Sequence, residues 1–297
     1  DVLKPRFPYL LPKSLLFAGT GKLFQIVMKS VTADFSADVV HGCHVFPDGY
    51  GLIPISNKRQ IPLTVTCHGY YLNNYSNLPV GVATQVRKTL QIADHVFCVS
   101  DSLRIRASEI APETKISTVP IGASPKNFAT DNEDKIRQSY NISENAVVVL
   151  FCGQFTKRKG ILDIIKSLNS FPDDNVEYIF IGHGGKLYEM LKKSVNKAQA
   201  PDSVRIIKGA ETSTLRDWYS ISDILLLPSY SEGRPTVIYE AMAAKTAILS
   251  TQIDGVSEQV SDGETGRLVQ PGNQDELIRT LNEMVTDKYE LHKMGQR

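Results

Sequence analysis

Net charge is nearly absent from this sequence: 33 lysines and arginines face 32 aspartates and glutamates, leaving +1 at pH 7. Proteins that grip nucleic acid through its phosphates carry a strong basic bias, so no nucleic-acid partner is expected. No uncharged apolar run approaches the roughly 18 residues a bilayer span needs, and no secretory signal is visible. Cysteine is scarce as well. Cys43, Cys67, Cys98 and Cys152 lie in or beside short apolar runs such as LTVTCHG, HVFCVSD and VVVLFCG, and none forms a CxxC pair. They read as small, buried, reduced thiols of a cytoplasmic protein, neither disulfides nor a zinc site. No repeat at solenoid spacing and no DxD motif occurs.

What is present suits a folded protein. The chain has 297 residues, 42% of them apolar and 22% charged, which is enough for two α/β domains. It opens on Asp1-Val2-Leu3 in proline-rich, irregular sequence where an α/β domain would place its first strand and glycine turn, so a leading segment is expected to be missing. The first 35 residues mix Leu, Phe and Tyr with Lys4, Arg6, Lys13, Lys22 and Lys29. A helix packed on its own domain with a solvated basic face is the favoured reading. Peripheral contact with a membrane is the alternative.

From about Asp38 onward, short β-branched runs alternate with helical patterns. Strands are expected at 38–40, 63–67, 95–99, 116–119, 146–152, 178–181, 204–207, 224–227, 247–250 and 267–269. Continuous apolar strands separated by helices imply parallel sheets covered on both faces, a doubly wound α/β architecture. A Gly122 to Pro125 turn and a polar helix around Glu133 to Tyr140 precede a fresh apolar strand, which divides the chain into 1–127, a linker and helix over 128–144, and 145–297. Ligands of such folds sit outside the carboxyl ends of the strands, and the cleft between the halves is the expected site.

The most informative stretch is Glu232-Gly233-Arg234-Pro235-Thr236-Val237-Ile238-Tyr239-Glu240-Ala241-Met242-Ala243. Pro235 suits the first helical position, and the N–H groups of Thr236 and Val237 then favour an anion at the helix start. The helix reads as apolar nearly all round, with Glu240 the misfit. A carboxylate there needs donors, which either a structural Lys or Arg or a ribose diol could supply. Glu232, eight positions earlier, can face the same ligand, and Gly233 lets backbone approach closely.

This segment resembles the E-x7-E signature of the retaining glycosyltransferases of family 4, which have the GT-B fold. The downstream text AKTAILSTQIDGVSEQVSDGETGRLVQPGN is similar to the family's strand, glycine turn, Glu-containing helix and last strand, and the likeness runs from about Val39 to the end. The implied fold is two Rossmann-like domains facing a cleft. The first is acceptor-side and partial; the second binds the donor.

Upstream, Gly153-Gln154-Phe155-Thr156-Lys157-Arg158-Lys159-Gly160 opens a helix with three successive cations, which opposes the helix dipole. A diphosphate between them would relieve that conflict; a solvated loop is the plain alternative. The family's loop reads G-R-x4-K-G, whose Arg and Lys grip the donor diphosphate. Lys159 stands at the Lys position and Gln154 at the Arg position, so Arg158 supplies the second charge or the grip is weaker. In TVTCHG, His68 ends a strand and resembles the family histidine near the transferred sugar. A structural histidine would be the default for it taken alone. His41 and His44, in HGCHVFPDG, could border an acceptor.

Three other patterns are read as decoys or as packing. Gly19-Thr20-Gly21-Lys22 imitates the end of a Walker A loop, but position 16 is Leu where glycine belongs. Gly182-His183-Gly184-Gly185 lacks dinucleotide-loop spacing; in the family this turn lies near the donor, so Gly182 and Gly184 are taken as points of close backbone approach. Trp218 is expected in the core.

The resemblance implies transfer of a sugar from a nucleotide-sugar donor to a glycan or lipid-linked acceptor hydroxyl, with retention, in cell-envelope or extracellular polysaccharide synthesis. Glu232, Lys159 and His68 are then the catalytic candidates, and Gly153, Gln154, Arg158, Lys159, Gly182, Gly184, Gly233, Pro235, Thr236, Val237 and Glu240 the donor-binding ones. No cofactor or metal is expected, because cations can neutralise the diphosphate. The location expected is cytoplasmic, with peripheral contact at the inner face of a membrane as a variant. A sugar-nucleotide epimerase and a non-catalytic sugar-nucleotide-binding subunit are the rival readings.

Overall fold

Each of the ten β-branched runs singled out in the sequence becomes a strand, and every strand pairing recorded is parallel. The structure is a computed structural model that describes residues 17–31, 36–128, 132–172, 175–198 and 201–297. The chain divides into two compact units, one ending at Pro120 and the other beginning at Ile121.

In the first unit β1 (Val40–Gly42), β2 (Leu63–Cys67), β3 (His95–Cys98) and β4 (Ile116–Thr118) lie in the order β1-β2-β3-β4. Among the described residues, α1 (Phe17–Val31), α2 (Tyr50–Arg59), α3 (Tyr70–Asn73), α4 (Val80–Ile92) and α5 (Asp101–Ile110) accompany them. On α4, Val82, Val86 and Leu90 recur every four residues and are fully buried, the stripe that seats a helix. On β2, Leu63, Val65 and Cys67 are buried while Thr64 and Thr66 are only partly so. The expectation of continuous burial on both faces therefore fails for this strand. Its polar face carries His41, whose two ring nitrogens lie 2.7 Å from Thr64 Oγ1 and 3.0 Å from Thr66 Oγ1.

The helical reading of the basic leading segment is met over α1; Lys4, Arg6 and Lys13 lie outside the described residues. α1 seats on α2: Gln25 Nε2 donates to Tyr50 O at 3.1 Å, and a Cβ on Gly51 would come within 2.3 Å of the Phe24 ring. Lys22 and Lys29 stay exposed. The Walker-like Gly19 to Lys22 falls inside this helix, where Gly21 abuts Phe46 and Tyr50, so it forms no phosphate loop.

The second unit holds β5 (Val147–Cys152), β6 (Val176–Gly182), β7 (Val204–Lys208), β8 (Ile224–Leu227), β9 (Ala247–Thr251) and β10 (Gly266–Val269) in the order β10-β9-β8-β5-β6-β7. Every residue of β5, β8 and β9 is buried, as expected for strands covered on both faces. The helices are α6 (Glu133–Ser139), α7 (Ile161–Ser167), α8 (Gly185–Val195), α9 (Thr212–Ser220), α10 (Thr236–Ala243), α11 (Asp254–Ser257), α12 (Gln274–Thr286) and α13 (Lys288–Gln296). From β5 the chain winds outward through β6 and β7, then returns to β8 on the other side of β5 and winds away. The neighbouring carboxyl ends of β5 and β8 thus mark the point where the winding reverses, and a crevice opens there in such sheets. Trp218 is 1% exposed and lies against Tyr140 with ring centroids 4.2 Å apart, the core position expected for it.

The helix expected to link the two halves belongs with the second. From α6, Arg137 donates to the carbonyls of Ser143, Ala146 and Ile221 and to Asp223 Oδ2 at 3.1 Å, while Val148 N also donates to Asp223. Burial raises the Asp223 pKa, and the Val148 N–H and Arg137 oppose that rise. Arg137→Ala leaves three carbonyls short of a donor and is expected to lower unfolding free energy by about 2 kcal/mol in urea titrations. A carboxyl whose folded pKa lies above its unfolded value loses stability as pH rises. Arg137 restrains that rise, so the deficit of the variant is expected to be larger at neutral pH than in mild acid.

Candidate active site

At the carboxyl ends of β5 and β8, two loops far apart in sequence are tied together. After β5 the chain runs through Gly153 and the cationic segment to Gly160, whose φ of +74° and place against Pro228 O leave no room for a side chain. Tyr230 N donates to Arg158 O at 2.8 Å, which joins this loop to the one after β8. Side chains complete the joint. Lys159 Nζ lies 2.7 Å from Glu232 Oε1, and Arg158 Nη1 lies 3.0 Å from Glu232 Oε2 and 2.8 Å from Ser231 O. The buried Ser229 hydroxyl also donates to Glu232 Oε1 at 2.9 Å.

Glu232 is 7% exposed and Lys159 12%, so the cluster sits where water screens little and charge counts for more. The expected conflict of three cations at the start of α7 is thereby resolved in part by protein: a carboxylate takes two of them. Two cations against one carboxylate leave a positive excess. Glu232 accordingly does not point to solvent. Gln154 is exposed, and Arg158 shares the carboxylate with Lys159.

The helix after Glu232 departs from expectation in two ways. Pro235 is the N-cap of α10, with φ −68° and ψ 121°, and the helix begins at Thr236. Only Ile238 and Ala241 of the helix are buried, so it is not apolar-packed all round, and Glu240 is half-buried. Neither Lys nor Arg pairs with Glu240 among the described residues, which removes the structural ion pair that would otherwise explain it. Its neighbours are the fully buried Tyr219 and the buried Cys152. Burial first, then the nearby Cys152 and Glu240, push the Tyr219 hydroxyl well above its ordinary pKa and keep it neutral.

Gly182 and Gly184 do make close approaches, and the neighbours present are protein. A Cβ on Gly182 would sit 1.9 Å from Gly153 O, and one on Gly184 2.6 Å from Phe155 O. Phe155 N donates to His183 O at 2.8 Å, closing the turns after β5 and β6 on each other. Gly233 is buried with its carbonyl against Gly255.

The first unit carries its own pocket, of about 110 Å³, lined by His44, Val45, Cys67, His68, Gly69, Tyr70, Tyr71 and Leu72. His68 follows β2 as expected, and Gly69 beside it takes φ +119°. The His68 and His44 rings stand 5.3 Å apart, and His44 Nδ1 lies 3.5 Å from Asp48 Oδ2. Burial first and the His44 ring second hold the His68 pKa below the ordinary imidazole value, so the ring is neutral near pH 7. Cys67 and Cys98 face each other across β2 and β3 with the Cys67 thiol held protonated, whereas Cys43 is exposed, against the expectation of four buried thiols. His41 is engaged by its threonines and lines no part of this pocket.

Sequence reading missed the partners of this machinery. Ser229, and Glu258 and Gln259 just after α11, contact the 229–235 loop. Polar residues beside a suspected motif were the available signal, but nothing local says which of them reach it.

Comparison with known proteins shows the family and the fold. The family model described as glycosyl transferases group 1 matches residues 132–297, and that described as glycosyltransferase family 4 matches residues 2–126. The chain belongs to the group 1 glycosyl transferases, and its fold is GT-B. It is 27% identical over 227 residues to the putative teichuronic acid biosynthesis glycosyltransferase TuaC of Bacillus subtilis, a match covering 75% of this chain and 55% of that one. To the lipopolysaccharide 1,2-N-acetylglucosaminetransferase of Salmonella typhimurium it is 30% identical over 212 residues, covering 68% and 55%. These matches span little more than half the length of either relative. Among solved structures, sucrose-phosphate synthase of Thermosynechococcus elongatus superposes with TM-score 0.83 at 20% identity, covering 96% of this chain and 73% of that one. Anabaena HepE in complex with UDP-glucose superposes with TM-score 0.77 at 18% identity, covering 92% and 75%. No described helix is long and apolar enough to cross a membrane.

The histidine pocket makes a direct prediction. In an NMR titration His68 is expected to protonate below the pH at which an exposed imidazole does, and His44→Gln is expected to move its midpoint upward. An unshifted midpoint in the variant would remove His44 as a cause.

Proposed function

We propose that the protein is a retaining glycosyltransferase that moves a sugar from a nucleotide-sugar donor to a hydroxyl of a glycan or lipid-linked acceptor. The observation that carries the proposal is the joint at the carboxyl ends of β5 and β8, where Lys159 and Arg158 share Glu232 and keep a positive excess. Breaking the bond between the anomeric carbon and the diphosphate builds negative charge on the leaving group. Fixed cations stabilise that charge more in the transition state than in the bound donor. Lys159 and Arg158 hold the diphosphate, and the N–H groups of Thr236 and Val237 at the start of α10 add dipoles aimed the same way.

Glu240 accepts from the ribose hydroxyls. Its lack of a cationic partner supports this role, since a ligand diol supplies donors beyond the one nearby Tyr219 hydroxyl. Glu232 has two tasks in the proposal: it fixes the spacing of the two cations, and it turns toward sugar hydroxyls when the diphosphate takes those cations over. His68, neutral, accepts from a hydroxyl on the sugar or acceptor side. The chemistry needs no metal because the two cations supply the neutralising charge. Retention rests on the likeness to the E-x7-E family, and assembly of envelope or extracellular polysaccharide on the nature of the relatives. A cytoplasmic site of action is part of the same proposal.

Mutants test the donor site. Lys159→Ala is expected to lower kcat/KM for donor by about a hundredfold, the scale of losing one charge-stabilising donor. Glu240→Gln is expected to raise the donor KM about tenfold, as for a lost hydrogen bond to a charged group. Thermal-shift screening of UDP-, GDP- and ADP-sugars identifies the donor, since binding raises the melting temperature by mass action. Unchanged donor turnover in both variants would sink the assignment, and product formed without any acceptor would point to epimerisation instead.

A further inference from the structure

Lys157, Arg158, Lys159 and Arg234 stand in the two loops of the proposed donor site, and Arg234 turns away from the joint. Arg158 and Lys159 turn to Glu232. Arg234, only two residues beyond that carboxylate, turns to the segment after β9: its Nη1 lies 3.0 Å from Glu258 Oε2 and its Nη2 donates to Glu258 O at 3.3 Å. Its Nε donates to the Tyr239 hydroxyl of α10, and the guanidinium lies over the Tyr239 ring, 5.5 Å from the centroid. Arg234 is 12% exposed and Glu258 23%, so the pair is partly desolvated and well ordered by its several partners.

Two further contacts come from the same segment. Gln259 Nε2 donates to Pro235 O at 3.2 Å. A Cβ on Gly255 would come within 2.4 Å of Gly233 O and 2.8 Å of Glu232 O, so α11 lies directly against the backbone of the motif. Glu232, Gly233, Arg234 and Pro235 are thus each touched, through backbone or side chain, by residues 255–259. Pro235 offers α10 no side-chain cap. The entry angle of α10, and with it the spacing of Glu232 and Glu240, is fixed by these contacts instead.

We propose that Glu258, acting through Arg234, is a positioning residue of the donor site: it withdraws Arg234 from the diphosphate and locks the 232–235 segment so that Glu232 and Glu240 address one ligand. This rests on the donor-site reading above. It makes Arg234, although inside the motif, a bridge between α10 and α11 and not a phosphate ligand.

The test uses the full chain, with donor affinity from calorimetry and initial rates at varied donor and acceptor. Glu258→Ala is expected to weaken donor binding about tenfold to a hundredfold, the scale of a misplaced binding group. Acceptor KM and the melting temperature are expected to stay close to the parent's. Glu258→Gln, which keeps an acceptor for Arg234, is expected to recover most of the affinity, and the exchange Arg234→Glu with Glu258→Arg to recover part of it. A purely structural pair would move melting temperature and not the split between donor and acceptor. Donor binding unchanged in Glu258→Ala, or lost only in step with melting temperature, overturns the proposal. The underlying reading fails separately, if Lys159→Ala turns over donor like the parent.

Discussion

The second unit depends on one electrostatic joint, the shared hold of Lys159 and Arg158 on Glu232. A parallel sheet that reverses its winding beside a central strand leaves two adjacent loops with nothing regular between them. Here β5 and β8 are those neighbours, with Leu150 opposite Leu225. Backbone alone ties the loops once, from Tyr230 to Arg158. The ion pairs add two ties in a place where Glu232 is largely hidden from solvent. Such burial costs desolvation, and a partly buried pair stabilises only when geometry is good and the remaining lone pairs are met. The Ser229 hydroxyl and the short Lys159 contact meet that condition.

The joint also explains why so many neighbouring side chains are polar yet buried. Ser229, Ser250 and Thr251 are inaccessible, and each closes a hydrogen bond at the top of the sheet: Ser250 Oγ donates to Leu227 O at 2.7 Å, and Thr251 Oγ1 to Ser229 O. Buried hydroxyls that are all satisfied specify one arrangement of strand ends. Glycines do the complementary work from the steric side. Gly160, Gly182 and Gly255 each lie where a Cβ would meet a carbonyl oxygen, so the loops approach closer than side chains would allow. Charge draws the loops together and glycine lets them close.

How much of this was legible in the sequence follows from which forces are local. The runs Leu63 to Cys67 and Ile224 to Leu227 show their strand character by composition, and both appear as expected. Gly160 and Pro235 mark helix starts by backbone chemistry, though a shift of one residue made Pro235 a cap and not the first helical residue. Long-range choices were not legible. Nothing near Gln154 reveals that Arg158 shares Glu232, because that pairing is set by the crossing between β5 and β8. The burial of Thr64 and Thr66 was overestimated for a similar reason, since the strand pattern does not show that His41 occupies their face.

The joint in the second unit and the pocket in the first differ in a way that follows from the charges they keep. The joint in the second unit sets two cations on one carboxylate, with Lys159 and Glu232 shielded and Arg158 reaching out to solvent, an arrangement open to an anion. The pocket in the first unit does the reverse: burial and a second imidazole keep His68 uncharged, and the rest of its lining is apolar, aromatic or backbone apart from His44. A neutral imidazole beside Tyr70 and Tyr71 suits a hydroxyl-bearing, uncharged group, offering one acceptor nitrogen and flat apolar surface. One unit is therefore built for charge and the other against it. A reaction that expels a diphosphate and takes up an alcohol makes that pair of demands, which is why the two sites, described separately, support a single proposal.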